Sequence, residues 1–241
     1  MNNLRGSIKS QWTVLRHNGP MFPPLYVPHK IPILLNGVKI NLSPEVEEYA
    51  TLFARYIDTS YMNNPLFIKN FSKDFKEILP SQLKSYQFTD FDFSLIKKYI
   101  NDKSEKYKNI SKEEKEKIKK KNDILEEPYK TCVIDGSTQK IGNFKIEPPG
   151  IFLGRGKHPK SGKIKRRIYP NDITINLDKD APIPKPFHSV QDEKERKKWG
   201  KIIHDRNVIW LASWKDPITN KNKYIFTSME SIFKSKSDLS K

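Results

Sequence analysis

One glycine-punctuated stretch, residues 143–167, has the composition of a loop that meets phosphate groups. Glycines at 154, 156 and 162 permit positive φ and let the backbone come close to a ligand. After Glu147 this stretch has no acidic residue and seven basic residues: Arg155, Lys157, Lys160, Lys163, Lys165, Arg166 and Arg167. Clustered Lys and Arg attract the phosphate oxygens of nucleic acids. A solvated basic surface is the alternative interpretation.

The residue patterns of common catalytic and metal sites are missing from the sequence. None of the five histidines lies three or four residues from another, so helical metal pairs are absent. There is neither a Gly-x-Ser-x-Gly element nor a phosphate-binding P-loop. The single cysteine, Cys132, excludes an intramolecular disulfide, and its apolar neighbours predict a buried thiol. We therefore expect no catalytic residue, no metal and no cofactor in this chain.

The charge balance indicates a polyanionic partner. The chain has 45 Lys and Arg against 28 Asp and Glu, a formal net charge of +17. A membrane surface is the rival polyanion, but no apolar run approaches the ~20 residues of a membrane span and no signal-peptide pattern opens the chain. Three classes remain: a DNA-binding module, a basic RNA-binding or ribosome-associated module, and a scaffold whose basic face binds acidic proteins.

Residues 26–110 show helical periodicity, with aromatic residues at a spacing that favours a role in the core over base stacking. The predicted elements are a hairpin turn at Asn36-Gly37, a helix that begins after Ser43, and helices from Pro65 to before Pro80 and from Asp92 to Asn109. Ser111-x-x-Glu114 is a capping box that opens a fourth helix. That helix is too polar to be buried, so we expect it to project into solvent or to lie along an anionic surface.

Beyond Tyr129 the pattern changes to strands. A hairpin is predicted from Lys130–Asp135 and Ile141–Ile146, and a final antiparallel set from Ile202-Ile203, Val208–Trp214 and Tyr224–Thr227. The predicted fold class is α+β, with a helical subdomain inserted into a mostly antiparallel β subdomain. The helical subdomain covers residues 26–110, the β subdomain residues 1–25 and 111–233, and residues 234–241 form a frayed tail.

Several motifs follow one another as they do in one known family. The stretch Asn143-Phe-Lys-Ile-Glu-Pro-Pro-Gly150, with Gly154-Arg-Gly156 and His158-Pro159 after it, resembles the core of the eukaryotic type IB DNA topoisomerases. The likeness extends to Trp12–Pro24, Leu42-Ser-Pro44, Ser111–Lys115 and Trp210–Trp214. It covers nearly the whole chain and corresponds to the family's N-terminal DNA-binding core fragment, a cap lobe formed by the first two core subdomains.

The resemblance implies a function. Such enzymes relax DNA supercoils by transient single-strand cleavage through a phosphotyrosine, without ATP or metal. The partners implied are double-stranded DNA and the missing C-terminal catalytic half of the same enzyme, with no membrane, a monomeric state and a nuclear location. The family's catalytic Arg, Lys, Arg, His and Tyr lie in regions that follow this stretch, so the fragment alone is expected to bind duplex DNA without cutting it.

DNA-contacting residues follow from the same resemblance. Arg155 would reach into the minor groove beside the scissile step. Other candidates match family positions that touch the sugar-phosphate backbone: Trp210, Lys223 and Tyr224. Tyr107 stands where the family has an arginine, and Lys165 and Arg166 are candidate contacts on charge alone.

Two further roles are implied for the glycine-rich loop. His158, Pro159 and Lys160 would form a lip that meets the opposite half of the protein when the clamp closes around DNA. Asn143, Phe152, Gly154 and Arg155 match the wall against which camptothecin-type inhibitors lodge on cleaved DNA. Leu153 departs from the family pattern, which has another arginine there.

Overall fold

The computed structural model describes residues 12–156, 158–186 and 198–227. This part of the chain forms four α-helices: α1 (Pro44–Ala54), α2 (Pro65–Ile78), α3 (Ser94–Lys108) and α4 (Lys112–Glu126). It also forms twelve short strands: β1 (Leu15–His17), β2 (Ile33–Leu35), β3 (Val38–Ile40), β4 (Phe91–Asp92), β5 (Thr131–Ile134), β6 (Ser137–Lys140), β7 (Gly150–Ile151), β8 (Ile164–Lys165), β9 (Thr174–Asn176), β10 (Lys201–Ile203), β11 (Trp210–Lys215) and β12 (Asn222–Phe226). The predicted α+β class is confirmed. The predicted tail at 234–241 lies outside the described residues.

Residue contacts divide the chain into two compact units. The β-rich unit consists of the residues up to Pro24, of Ile118–Pro148 and of the residues from Ile168 onward, and the helical unit consists of Leu25–Lys117 and Pro149–Arg167. The predicted division assigns residues 111–117 and 149–167 to the β subdomain, whereas their contacts place both stretches in the helical unit. The basic loop is therefore positioned by helices.

An aromatic core holds the helical unit together. Asn64 caps α2 by accepting hydrogen bonds from the backbone N–H groups of Leu66 and Phe67. The phenylalanines of α1 and α2 face inward, and the rings of Phe53 and Phe71 stack with centroids 4.3 Å apart. Rings at this separation stabilise the core beyond the apolar area that they bury.

The hairpin predicted at Asn36-Gly37 is confirmed. Strands β2 and β3 pair antiparallel on either side of these two residues, whose φ values are 48° and 83°. A two-residue turn with both φ values positive matches the twist of the flanking strands. The hairpin and β4 form a three-stranded sheet in the helical unit.

The fourth helix also behaves as predicted. The Ser111 hydroxyl accepts from the Glu114 backbone N–H at 3.2 Å, and the Glu114 carboxylate accepts from the Ser111 N–H at 3.3 Å, which completes the capping box. No residue of α4 is buried. None of the helices in the described part of the chain combines the length and hydropathy that a membrane span requires.

The β-rich unit contains two sheets, with strand orders β1-β5-β6 and β10-β9-β11-β12. Ile173, Ile175 and Leu177 are buried in or beside β9, together with Leu211 of β11 and Ile225 of β12. Cys132 of β5 is buried, as predicted, and burial raises the pKa of its thiol to about 11.

Two strand predictions are wrong. The return strand after Asp135-Gly136 is β6, Ser137–Lys140, and not Ile141–Ile146. Asp135 and Gly136 have φ values of 47° and 80°, and such a two-residue turn pairs the residues that directly flank it. No side chain of β6 is buried, so its sequence lacks the apolar residues that would have marked it as a strand. The other error concerns β10, which pairs parallel to β9 and not in an antiparallel set.

Buried His17 makes the stability of the β-rich unit depend on pH. Its Nε2 donates to the Asn176 carbonyl oxygen at 2.9 Å, and its Nδ1 accepts from the Gly19 N–H at 3.0 Å, so the ring is held neutral. Burial lowers its pKa from 6.5 to about 4. Between those values the unfolded chain binds a proton that the folded chain excludes. Acidification through this range therefore lowers the unfolding free energy by about 1.4 kcal/mol per pH unit.

The measurement is urea unfolding at several pH values for the natural chain and for His17→Asn. The variant is expected to be less stable at neutral pH, because it loses the imidazole hydrogen bonds. Its stability should fall less between pH 6.5 and 4. An equal pH dependence in both proteins would show that folding does not change the pKa of His17.

Candidate nucleic-acid interface

The basic stretch folds as a β-hairpin with a long, tightly hydrogen-bonded loop. Strands β7 and β8 pair antiparallel, and Ile151 and Ile164 are buried in the core of the helical unit. The Phe152 N–H donates to the Lys163 carbonyl at 2.9 Å, and the Gly162 N–H donates to the Phe152 carbonyl at 2.7 Å. The loop from 153 to 161 is closed at its base by these bonds.

One polar face of α2 holds this loop. The Asp74 carboxylate accepts from the Lys163 ammonium at 2.8 Å and from the Ile164 backbone N–H at 2.9 Å. The Asn70 amide donates to the carbonyl oxygens of Pro159 and Ser161 at 2.9 and 2.7 Å. Because these contacts use backbone groups of the loop, they fix its path and not merely its side chains.

Several cations of the stretch are engaged inside the helical unit. Arg167 pairs with Glu48 of α1 at 2.6 Å, and their side chains are only 8% and 11% exposed. Arg166 pairs with Glu77 of α2 at 3.2 Å, but both side chains are more than half exposed, so this pair contributes little stability. Lys165 is half-buried. Lys163 and Arg167 are therefore structural residues rather than free cations.

Arg155 is presented differently from its neighbours. It is exposed between Gly154 and Gly156, whose φ values are 68° and 57°, and it has no hydrogen-bond or ion-pair partner among the described residues. A Cβ on Gly154 would overlap the His158 side chain, so that position needs glycine for space as well as for φ. The predicted cation Lys157 lies outside the described residues.

The three residues of the predicted lip form a compact turn. The His158 carbonyl accepts from the Ser161 N–H at 2.9 Å, and its Nδ1 accepts from the Lys160 N–H at 3.1 Å. The His158 ring also packs against Phe152, with centroids 4.9 Å apart. Phe152, Gly154 and His158 are thus in mutual contact, whereas Pro159 is exposed at the edge of the turn.

Tyr107 lies apart from this loop, at the C-terminal end of α3. It is 55% exposed, and the Lys115 ammonium lies 5.8 Å from its ring centroid. The cation–π contact keeps a positive charge close to the exposed ring of Tyr107.

The other candidate contacts belong to the β-rich unit. Trp210 on β11 and Tyr224 on β12 have ring centroids 5.8 Å apart, and Phe226 extends the row at 5.7 Å from Tyr224. Tyr224 and Phe226 are 42% and 43% exposed, and Trp210 is half-buried. The resulting surface is a short aromatic strip on two paired strands.

Lys223 beside this strip is shared by two carboxylates, those of Glu147 at 2.8 Å and Asp216 at 2.9 Å. Burial alone would raise the pKa of Asp216. The hydrogen bonds that its carboxylate accepts from Lys223, Thr219 and Ile218 outweigh burial and lower the pKa below its usual range. Asp216 is therefore ionised at neutral pH and holds Lys223 in place.

The four residues of the predicted inhibitor wall do not all belong to one unit. Phe152, Gly154 and Arg155 lie in the helical unit. Asn143 lies in the β-rich unit, where it is exposed and its side-chain oxygen accepts from the Lys145 backbone N–H at 3.3 Å.

Comparison with known proteins identifies the family. The family model described as "Eukaryotic DNA topoisomerase I, DNA binding fragment" matches residues 10–227. The chain belongs to this family. The predicted resemblance to the N-terminal fragment of a type IB topoisomerase is thereby confirmed.

Curated relatives of this DNA topoisomerase I family are similar along nearly the whole chain. DNA topoisomerase 1 of Candidozyma auris is 41% identical over 242 residues, which cover 98% of this chain and 31% of that protein. DNA topoisomerase 1 beta of Arabidopsis thaliana is 42% identical over 98% of this chain and 25% of its own length. The Homo sapiens DNA topoisomerase 1 is 40% identical over 96% and 30%. The chain thus spans less than a third of each relative.

Sequence reasoning missed the residues that support the topoisomerase I loop. Asn70, Asp74 and Glu77 stand at i, i+4 and i+7 of α2 and therefore share one helical face. The sequence signal that could have identified them is the row of polar residues at helical spacing on α2, on a different face from the buried phenylalanines. Phe226 was also missed, because alternation in a strand does not show which of its two faces is exposed.

Proposed function

We propose that this chain is the DNA-binding cap lobe of a type IB topoisomerase. The complete enzyme would relax supercoils by transient cleavage of one strand through a phosphotyrosine, without ATP, as a nuclear monomer. This lobe would hold duplex DNA, while the catalytic Arg, Lys, Arg, His and Tyr come from the remainder of the enzyme. The family match over residues 10–227 and relatives named DNA topoisomerase 1 support the proposal.

The observation that best supports DNA binding is the exposed position of Arg155 on the loop. Asp74 and Asn70 hold the loop, Lys163 and Arg167 are engaged by acidic residues, and Arg155 is left exposed between two glycines of positive φ. Because the Arg155 guanidinium has no hydrogen-bond or ion-pair partner among the described residues, it can reach a groove or a phosphate without giving up such a contact. Its planar fork donates to two acceptors at once, which an ammonium does not do.

Other residues would extend the contact along the duplex. Tyr224 and Trp210, with Lys223 beside them, are proposed to touch the sugar-phosphate backbone, and Tyr107 with Lys115 is proposed to add a weaker contact. Lys165 and Arg166 remain candidates on charge. His158, Pro159 and Lys160 are proposed to meet the other half of the clamp, and Asn143, Phe152, Gly154 and Arg155 to face a camptothecin-type inhibitor.

One observation favours a second candidate. The strip of Trp210, Tyr224 and Phe226 is an exposed aromatic surface on a sheet, which is a feature of modules that stack unpaired bases. Under that alternative, single-stranded RNA or DNA would bind better than a duplex. The charge of +17 is compatible with both candidates, so the distinguishing property is whether the chain prefers duplex DNA or single-stranded nucleic acid.

The test compares fluorescence-anisotropy titrations of a short duplex, its separated strands, the matching RNA and polyglutamate over a range of salt concentrations. We expect the duplex to bind best. If four to six phosphates are neutralised, log K should fall against log salt with a slope of about −4 to −5. Preference for single strands would favour the stacking module, and equal binding of polyglutamate would indicate a scaffold for acidic proteins.

A further inference from the structure

Helix α2 has a basic face that the loop does not use. Its aromatic residues are buried, and Asn70, Asp74 and Glu77 are engaged by residues 159–166. Lys69, Lys73 and Lys76, at i, i+4 and i+7, are exposed on the side away from the core. None of the three ammonium groups has a partner among the described residues. The helix thus directs its acids toward the loop and presents its lysines to solvent.

A small pit opens next to these lysines, and two of them, Lys73 and Lys76, belong to its lining. It has a volume of about 130 Å³ and lies between the C-terminal half of α2 and residues 86–91. Its apolar walls come from Phe75, Leu79, Phe88 and Phe91. The rest of the lining is more polar: Ser72, Lys73, Lys76, Gln87 and the exposed Tyr86. An apolar cavity of about 150 Å³ accommodates benzene, so this pit matches one ring-sized or branched side chain and is too small for a drug-sized ligand.

The walls of the pit are fixed by packing and hydrogen bonds. The Phe75 ring packs edge-to-face against Phe88 and Phe91, each with centroids 6.2 Å apart, and Tyr86 packs against Phe91 at 6.5 Å. The Gln87 N–H donates to the Asp90 carboxylate at 2.8 Å, which holds the turn that carries Phe88. A preformed pit lowers the entropy cost of inserting a side chain.

We propose that the pit and the lysine face together are a docking site for an acidic peptide segment of a partner protein, anchored by one aromatic or aliphatic side chain. The anchor fills the pit, and Asp or Glu residues on either side of it pair with Lys69, Lys73 and Lys76. A duplex also offers negative charge, but it has no free side chain to insert, so the pit favours a peptide over DNA. The site lies within the helical unit and is independent of the DNA-binding proposal.

The probe is a fluorescein-labelled peptide with a central phenylalanine flanked on both sides by Asp and Glu, titrated with the full chain at low salt. We expect micromolar binding that weakens at least ~10-fold when the central residue is alanine, because the buried ring is lost. The protein variant Lys73→Glu/Lys76→Glu should weaken binding at least ~10-fold through charge repulsion. Ser72→Phe keeps the charge but fills the pit and should weaken binding ~5-fold.

Lys119→Glu/Lys121→Glu is the matched control, since it makes the same charge change on the exposed helix α4. It should bind the peptide within ~2-fold of the natural chain. Thermal melting confirms that each variant is folded, and amide chemical shifts of residues 72–91 locate the bound peptide. If Ser72→Phe does not fold, the alanine peptide still tests the pit.

Three outcomes would overturn the proposal. The first is equal binding of the phenylalanine and alanine peptides, which would leave only charge attraction. The second is equal weakening by the α4 control. The third is a loss of duplex affinity without a loss of peptide affinity in Lys73→Glu/Lys76→Glu, which would make the lysine face a DNA surface.

Discussion

Replacing Gly162 with alanine is expected to lower the free energy of unfolding by about 4 kcal/mol. Gly162 has a φ of 88°, in the left-handed region, and a Cβ there would overlap the backbone carbonyl of Phe67 in the first turn of α2. A backbone obstacle cannot rotate away as a side chain does. The hairpin must therefore shift off α2 or the helix must fray, and either movement disturbs the contacts of Asn70 and Asp74.

Gly156 provides the matched control for this substitution. Its φ of 57° is also left-handed, but, apart from its chain neighbours, a Cβ there would meet no atom of the described residues within 4 Å. Gly156→Ala should therefore show only the conformational cost of about 1–2 kcal/mol. Urea unfolding of the two variants separates the destabilisation caused by steric overlap with Phe67 from that caused by the left-handed backbone conformation. Equal destabilisation would mean that the loop does not pack tightly on α2.

The helical unit was largely predictable because its signals are local. Proline at the first helical position, the Ser111-x-x-Glu114 box and the Asn36-Gly37 turn each act on neighbouring residues, and the structure confirms all three. Helical spacing alone also identified the aromatic residues that form the core. Local rules of this kind depend on backbone geometry and need no knowledge of distant contacts.

The engagement of the basic loop by α2 could not be predicted in the same way. Asp74 and Lys163 are 89 residues apart, and no local rule pairs them. On charge alone, Lys163, Arg166 and Arg167 look as available for DNA as Arg155 does. Long-range pairing also explains the error at β10, because a parallel strand pair leaves no turn signal between its members. The sequence marks the basic loop as a candidate contact surface, but only the structure shows which of its cations are paired with carboxylates.

Arg155→Lys is expected to weaken duplex binding by about 1–3 kcal/mol, roughly 5- to 150-fold, while leaving the salt dependence unchanged. The substitution keeps the charge and removes the planar fork, so a bidentate contact is lost but counterion release is not. Lys163→Ala would be a poor comparison, because it breaks the pair with buried Asp74 and destabilises the loop. Arg55→Lys is the better control, since Arg55 is exposed in the same unit and has no side-chain hydrogen-bond or ion-pair partner among the described residues.

The most direct measurement is therefore a pair of salt titrations on one short duplex with Arg155→Lys and Arg55→Lys, after thermal melting has shown both variants to be folded. If Arg155 contacts DNA, the plots of log K against log salt should be parallel for all three proteins. The Arg155→Lys line should lie at weaker binding, and the Arg55→Lys line should coincide with that of the natural chain. If Arg155→Lys also superimposes on the natural chain, the glycine-framed arginine is only one charge among many, and the loop is not the DNA-reading element of this lobe.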